Sequence, residues 1–473
     1  MIHSAVRQGL FLFIVSTIAT SPILAASTTP PSNHVQRCEQ PHKQGTLSAA
    51  AIRNTLHAHR EWLEQRDSPG HKRADFCGAD LRQAVLEGAN LERARMEGVN
   101  LRQANLRQSI LTQASLAGAD LTKANLEDSN LVGADLRHAK LPHANLLRVI
   151  GDEAALYNAT LSRAQLHDSI FERAHFEGAD LSSADFTNAT LVDSYLYGAN
   201  LQGAVLTGAD LMGADLRRTD LSKATMFQTN LQGALLDGAR LNRARMMEAD
   251  LESAYLDDAD LRQADLRDAI LRGADLRHAN LDGTRLSQTD LEGANLEGAR
   301  LIKASLQSAK MRMVILYKAI IDQADFRDAN LHHAVMIGIH GADAIFTKAA
   351  LHEVYAPKAF LPRAQFNEAV LDSANLVAAD LSAANFSHAN LTHANLQEAK
   401  LQGASLNGAD LSGARLDAAD IHQANFYGAN LASAIGLTQA QLDTACVDNQ
   451  TLLPAELSRP APCTVTKKKA AGR

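Results

Sequence analysis

His332 and His333, followed 20 residues later by His352 and Glu353, are the residues of this chain whose types and spacing come nearest to metal chemistry. Imidazole nitrogens and a carboxylate are ligands of zinc-type sites, so these four are the metal candidates. They belong to no motif, and a solvated histidine row is the simpler reading. Other reactive constellations are missing. There is no GxSxG elbow, phosphate-binding Gly-rich loop, HExxH pair or dinucleotide turn, and no CxxC spacing. Ser and His residues are plentiful, but nothing assembles them into a nucleophile and its base. The sequence reads as a non-enzymatic chain with no cofactor.

The element that must position everything else is a five-residue period. From Phe76 to Leu431 every fifth residue is Leu, Phe, Met or Ile, apart from Gly151, Gly341 and Ala356, and two residues earlier stands Ala in most cases. A fixed repeat decides the architecture before any local propensity does. Five matches neither the 3.6-residue helix nor the 2-residue strand period. It suits a chain that points two residues inward, turns a corner with the next three, and closes a square in 20. The phenylalanines carry the same 20: Phe326, Phe346, Phe366 and Phe386 are spaced by it, and Phe186 and Phe426 share the phase. The pattern A-[DN]-L-x-x resembles the pentapeptide-repeat family. That resemblance implies an all-β solenoid, a right-handed quadrilateral β-helix, here of about 18 coils and about 85 Å at the usual strand spacing, with short α-helical caps at both ends. Gly151 predicts a kink or bulge. Gly341, Ala356, Pro357 and Pro362 mark an irregular zone over 336–362, the alternative place for a ligand or metal site.

The ends differ from the array. Residues 1–26 read as a cleaved export signal, with His3 and Arg7 before an apolar run and Ala25-Ala26 at the cleavage point. This predicts a periplasmic or secreted protein with no integral membrane segment in the mature chain. Residues 27–46 read as a linker and 47–73 as a helical cap, with Trp62 packing the helix over the first coil. The array occupies 74–433, a helical and disulfide cap 434–463, and a disordered basic tail 464–473. Thr438 and Gln441 form a capping box. The four cysteines all lie outside or at the edges of the array. They allow three pairings, and Cys38–Cys77 with Cys446–Cys463 is the simplest in an oxidising compartment.

Function must sit on the outward residues. The family's best-known activity, DNA mimicry by acidic cytoplasmic members that inhibit type II topoisomerases, is an alternative here. Duplex DNA carries one charge per about 1.7 Å, and a net charge of −7 over the whole chain is far too mild to imitate it. No nucleic-acid partner is expected either. Six of the seven tyrosines, Tyr157, Tyr195, Tyr197, Tyr255, Tyr317 and Tyr355, sort to one side of the square. On that side Ile315 and Tyr317, Val335 and Ile337, and Tyr355 and Pro357 form a grid on three consecutive coils. Asn295 and Asn375 bound it. Such an apolar patch is a candidate site for a protein partner or a second copy. The outward Asp rows read as polar corner residues, with weak calcium binding the lesser alternative.

Overall fold

The computed structural model describes Cys38, 46–65 and 72–461. The expected export signal, nearly all of the linker, the basic tail and Cys463 lie outside the described residues. The fold is that of the compact unit that begins at Cys38.

Parallel β-bridges join each strand residue to the one 20 positions on, from Asp75↔Arg95 to Arg415↔Ile435, without a slip. The chain is therefore a four-sided parallel solenoid whose side is only five residues long. Each side is held along the axis by three backbone bonds of one pattern, such as Phe76 N–H to the Arg95 carbonyl (2.7 Å), Gly78 N–H to the Glu97 carbonyl (2.9 Å) and Arg95 N–H to the Ala74 carbonyl (2.9 Å). Each corner is a β-turn, closed by a bond such as Ala79 N–H to the Phe76 carbonyl at 2.9 Å. Its second corner residue is left-handed at every repeat from Gly78 to Gly428, with φ between +51° at Glu353 and +71° at Gly413. That is the type II turn, which needs positive φ at its third residue. The requirement explains the composition of this position from Gly78 to Gly428. It holds Gly, Asn, Asp, Gln, His, Arg, Lys, Glu, Ser, Ala or Met and never Val, Ile, Thr or Pro, because β-branching is poorly tolerated at positive φ.

Inside, Leu or Phe at the central position and Ala two before it are essentially unexposed along the array, except for the partly buried Ala84 and Ala89 of the first coil. Phe326, Phe346, Phe366 and Phe386 form a face-stacked column with ring centroids 4.8, 4.9 and 4.7 Å apart. Where Ser or Thr replaces the buried Ala, its hydroxyl in most cases donates to a backbone carbonyl, as Thr219 to Leu216 (2.6 Å) and Thr229 to Leu206 (2.7 Å), while Ser109 and Ser129 have no partner among the described residues.

Two expectations need correction. No kink or bulge occurs at Gly151: the Ile150↔Ile170 bridge is in register, and Gly151 N–H bonds the Ile170 carbonyl at 2.7 Å. The space a side chain would fill there is taken by the Phe171 ring one coil on. The 336–362 zone is equally regular. His340 bridges Ile320 and Phe360, and a Cβ at Gly341 would stand 2.6 Å from Ile321 Cγ1 and 2.9 Å from Leu361 Cδ2. Large neighbours along the axis replace the missing volume, which keeps the core close-packed. Pro142, Pro357 and Pro362 each occupy the first corner position of a turn, where the fixed φ of proline suits a type II turn. They follow the register instead of breaking it.

Both ends carry helices. Helix α1, Ala49–Glu64, starts at Ser48, whose hydroxyl accepts from Ala51 N–H at 3.2 Å. It buries Ile52 and His59 against the first coil, and Thr46 bridges Asp80 where a preceding coil would lie. Trp62 is half-buried and stacks on His59 at 5.4 Å. Helix α2, Gln439–Leu442, has the Thr438–Gln441 capping box. Cys38 and Cys77 form a disulfide, with Cα atoms 5.9 Å apart. Cys446 is also disulfide-bonded.

Candidate functional site

The six residues of the patch do come together. Ile315, Val335 and Tyr355 bridge one another in sequence, and Asn295 and Asn375 close the row. Tyr317, Ile337 and Pro357 run beside them at the first corner position, with Ile337 carbonyl accepting from Lys318 N–H and Pro357 carbonyl from Gly338 N–H. Tyr355 is 37% exposed and the other five are half-buried. Lys318 Nζ lies 4.8 Å from the Tyr317 ring, a cation–π contact.

The sequence reading missed that the patch turns the corner. On the adjoining side Ile320, His340 and Phe360 stack on the same coils, with His340 and Phe360 rings 4.6 Å apart and Phe360 39% exposed. The 20-residue phase carries this second row too, since 320, 340 and 360 share one position.

The position these residues occupy often has a structural task. At about half of the repeats it is Asp or Asn, whose side-chain oxygen accepts the N–H two residues on: Asp80 from Arg82 (3.2 Å), Asn90 from Glu92 (3.0 Å), Asn295 from Glu297 (3.0 Å) and Asn375 from Val377 (3.2 Å). These are Asx turns. An apolar residue there gives the bond up. Tyr355 and Phe360 do so without leaving a donor stranded, because Pro357 and Pro362 have no N–H. Lys140 and Pro142 repeat the pairing. At Ala342 the donor is met from the previous coil by Asp322 Oδ1 at 2.7 Å, which also pairs with His340 Nδ1 through its carboxylate at 2.9 Å.

The tyrosines farther along the same side are arranged differently. Tyr157, His175 and Tyr195 form a stack with centroids 4.9 and 4.6 Å apart, and burial pushes the Tyr157 phenol up to about 12. Their faces are taken by one another. Tyr197 lies about 6 Å from the guanidinium carbons of Arg217 and Arg218.

The metal candidates do not converge. His332, His333 and His352 have ring centroids 5.6 to 6.4 Å apart. His352 is engaged by Asp372 (2.5 Å), and Glu353 lies 3.4 Å from both His352 and His333. Burial, then the neighbouring His352, holds the His332 imidazole below its ordinary value. Among the described residues, the groups of three His, Cys, Asp or Glu ligands that do meet within 4.8 Å are Cys38, Cys77 and Glu97, and Asp257, Asp258 and His278. The corner aspartates are occupied as well. Asp80, Asp135, Asp215, Asp260, Asp265, Asp275 and Asp325 each hold both their own turn and an arginine two residues on, at 2.6–2.8 Å. Charge-balanced rows of this kind present little net negative potential. No helix among the described residues is long and apolar enough to cross a membrane.

A four-sided parallel solenoid with left-handed corners every five residues defines a class of structural repeat protein. Its family is given by the sequence match: the model described as pentapeptide repeats covers residues 72–316, 324–361 and 364–431, and the chain belongs to that family, whose fold is the right-handed quadrilateral β-helix. The chain is similar to HetL, a pentapeptide repeat protein involved in heterocyst differentiation regulation from the cyanobacterium Nostoc sp. strain PCC 7120. The two are 35% identical over 46% of this chain and 92% of HetL, with a TM-score of 0.21. A pentapeptide repeat protein of the Arabidopsis thaliana thylakoid lumen is 32% identical over 26% of this chain and 70% of its own, with a TM-score of 0.11. Full-length QnrB1, a plasmid-mediated fluoroquinolone resistance protein, is 16% identical over 46% and 92%, with a TM-score of 0.19. No curated protein matches the chain.

Proposed function

We propose that this chain is a non-enzymatic exported interaction rod of about 18 coils, working in the periplasm or outside the cell, which binds a protein partner through the apolar patch centred on Val335 and Ile337. One observation carries the reading: on three consecutive coils the outward Asx positions are surrendered to Ile315, Val335 and Tyr355, and on the next side to Ile320 and Phe360. A position that at the Asp and Asn repeats completes the turn is here given to half-buried and exposed apolar surface on successive coils, bounded by Asn295 and Asn375. Buried apolar and aromatic anchors within a polar rim are what protein interfaces use. The reading also draws on the family, whose members are scaffolds and interaction proteins. Export rests on the apolar segment and small-residue cleavage point within 1–26.

Charging the patch tests this. The double variant Val335→Lys, Ile337→Glu should lose capture of a partner from envelope extract, or self-association in sedimentation, by tenfold or more. Its far-ultraviolet circular dichroism should be unchanged, since both residues face outward. Association that survives the two charges would refute the proposal. Cell fractionation tests the location separately: the mature chain should be found outside the cytoplasm.

A further inference from the structure

The disulfide at the N-terminal cap closes against Glu97, which stands one coil beyond Cys77. Gly78 N–H donates to the Glu97 carbonyl at 2.9 Å, and Cys38 Sγ lies 3.4 Å from the same oxygen. Cys77 is 2% exposed and Glu97 only 6%. Glu97 Oε1 lies 3.9 Å from Arg95 Nε, beyond hydrogen-bond reach, and Oε2 is buried without a hydrogen-bond partner among the described residues. A carboxylate oxygen is an acceptor, and burying it with nothing to accept from is unfavourable. Such an atom in a close-packed protein calls for a reason. The arrangement around it supplies one, for both Sγ atoms and a Glu97 oxygen lie within 4.8 Å of one another.

We propose that in the dithiol form Cys38, Cys77 and Glu97 bind a thiophilic divalent cation of the zinc type, so that the cap is held either by the S–S bond or by the metal. Tetrahedral zinc with Zn–S near 2.3 Å places two sulfurs about 3.7 Å apart. From a bond of about 2.05 Å the sulfurs must part by roughly 1.7 Å, within reach of side-chain rotation. The half-exposed Cys38 leaves the fourth position open to water. Two thiolates and a carboxylate are ligands zinc accepts, and the metal gives Glu97 Oε2 the partner that the disulfide form denies it. The two states exclude each other because a sulfur in the S–S bond is not a thiolate. Reduction by a trialkylphosphine cleaves the bond, the phosphine becoming its oxide with oxygen from water and the two water protons passing to the thiols. Metal binding then expels both protons.

The test uses the full mature chain with Cys446→Ser and Cys463→Ser, reduced with a phosphine under argon and titrated with cobalt(II), then zinc(II). A thiolate-to-cobalt charge-transfer band should saturate at one equivalent, bleach with zinc, and accompany the release of two protons. Cys77→Ser should abolish it. Glu97→Gln should retain the band and bind about tenfold or more weakly, while still forming the disulfide on air oxidation, which shows its cap assembled. The wild-type chain, corrected for a Cys38→Ser, Cys77→Ser chain, should give the same difference. A reduced protein with no saturating band, or a Glu97→Gln chain with the parent affinity, would overturn the proposal.

Discussion

The two ends of the solenoid solve one problem in opposite ways. Each must cover a coil with no neighbour on one side, which is an open sheet edge. At the C-terminal end the polar groups that cover the last coils are satisfied, beside a disulfide at Cys446 and the buried Leu442. Gln441 Nε2 donates to the carbonyls of Leu416 (3.0 Å) and Ala419 (2.8 Å), Thr451 Oγ1 donates to Phe426 (2.9 Å), and Asp448 accepts from Gly428 N–H (2.9 Å) and from Thr451. At the N-terminal end α1 lies on the coil through apolar contact, a disulfide ties the chain down, and two ionisable side chains are buried, His59 beneath the helix and Glu97, whose Oε2 has no hydrogen-bond partner among the described residues. Polar groups already satisfied leave the C-terminal cap little to exchange with its surroundings beyond its disulfide. The N-terminal cap, which also buries a histidine and an unpartnered carboxylate oxygen, responds to pH and metals as well as to redox state.

Three measurements sharpen or break this contrast. The largest effect is expected from Cys77→Ser, which opens the loop between residues 39 positions apart. Chain entropy assigns such a closure about 4 kcal/mol. Amide exchange should show protection lost across Ala49–Glu64 and unchanged across 438–452. Gln441→Ala comes next. It strands the Leu416 and Ala419 carbonyls and dissolves the capping box, for about 1–3 kcal/mol, and here exchange should accelerate at the C-terminal end only. The smallest effect is a pH step. Ala74 N–H donates to His59 Nδ1 at 3.0 Å, so the imidazole proton sits on Nε2. Burial lowers its pKa; the Glu92 backbone and charge oppose this, and Arg73 adds to it. A histidine whose folded value lies below 6.5 contributes stability that is fully present above 6.5 and lost as pH falls through the folded value. Asp448, held below the ordinary carboxylate range first by its bond from Gly428 N–H, contributes stability present above 3.8 and lost only at more acid pH. The Trp62 fluorescence should therefore report loosening of α1 in a window where the C-terminal cap is intact. Simultaneous loosening of both ends would end the contrast.

Much of the architecture is legible because its period is so short. Leu at every fifth residue and Phe326, Phe346, Phe366 and Phe386 at every twentieth force both the side and the coil, since no other closed path buries them all. The capping box at Thr438 and Gln441 is legible for the same local reason. What misleads is any residue read by its general habit. Gly151 and Gly341 look like breaks until Phe171, Ile321 and Leu361 are counted along the axis. Pro357 and Pro362 look irregular until one notices that Tyr355 and Phe360, two residues earlier, cannot accept the N–H that proline lacks. The apolar row Ile320, His340 and Phe360 escapes because two sides meet at a corner that a one-side sorting does not cross. The orphaned Glu97 oxygen is beyond sequence reasoning altogether, as burial of a corner side chain depends on what folds over it.

The left-handed corner that recurs from Gly78 to Gly428 has a consequence for how such a chain can change. Inserting 20 residues would lengthen the rod and leave every face beyond the insertion aimed as before. Inserting five would rotate everything downstream by a quarter turn while leaving the core composition intact. The repeat thus works as a four-position dial, by which the patch around Val335 can be re-aimed relative to the N-terminal cap without redesigning a single contact within either.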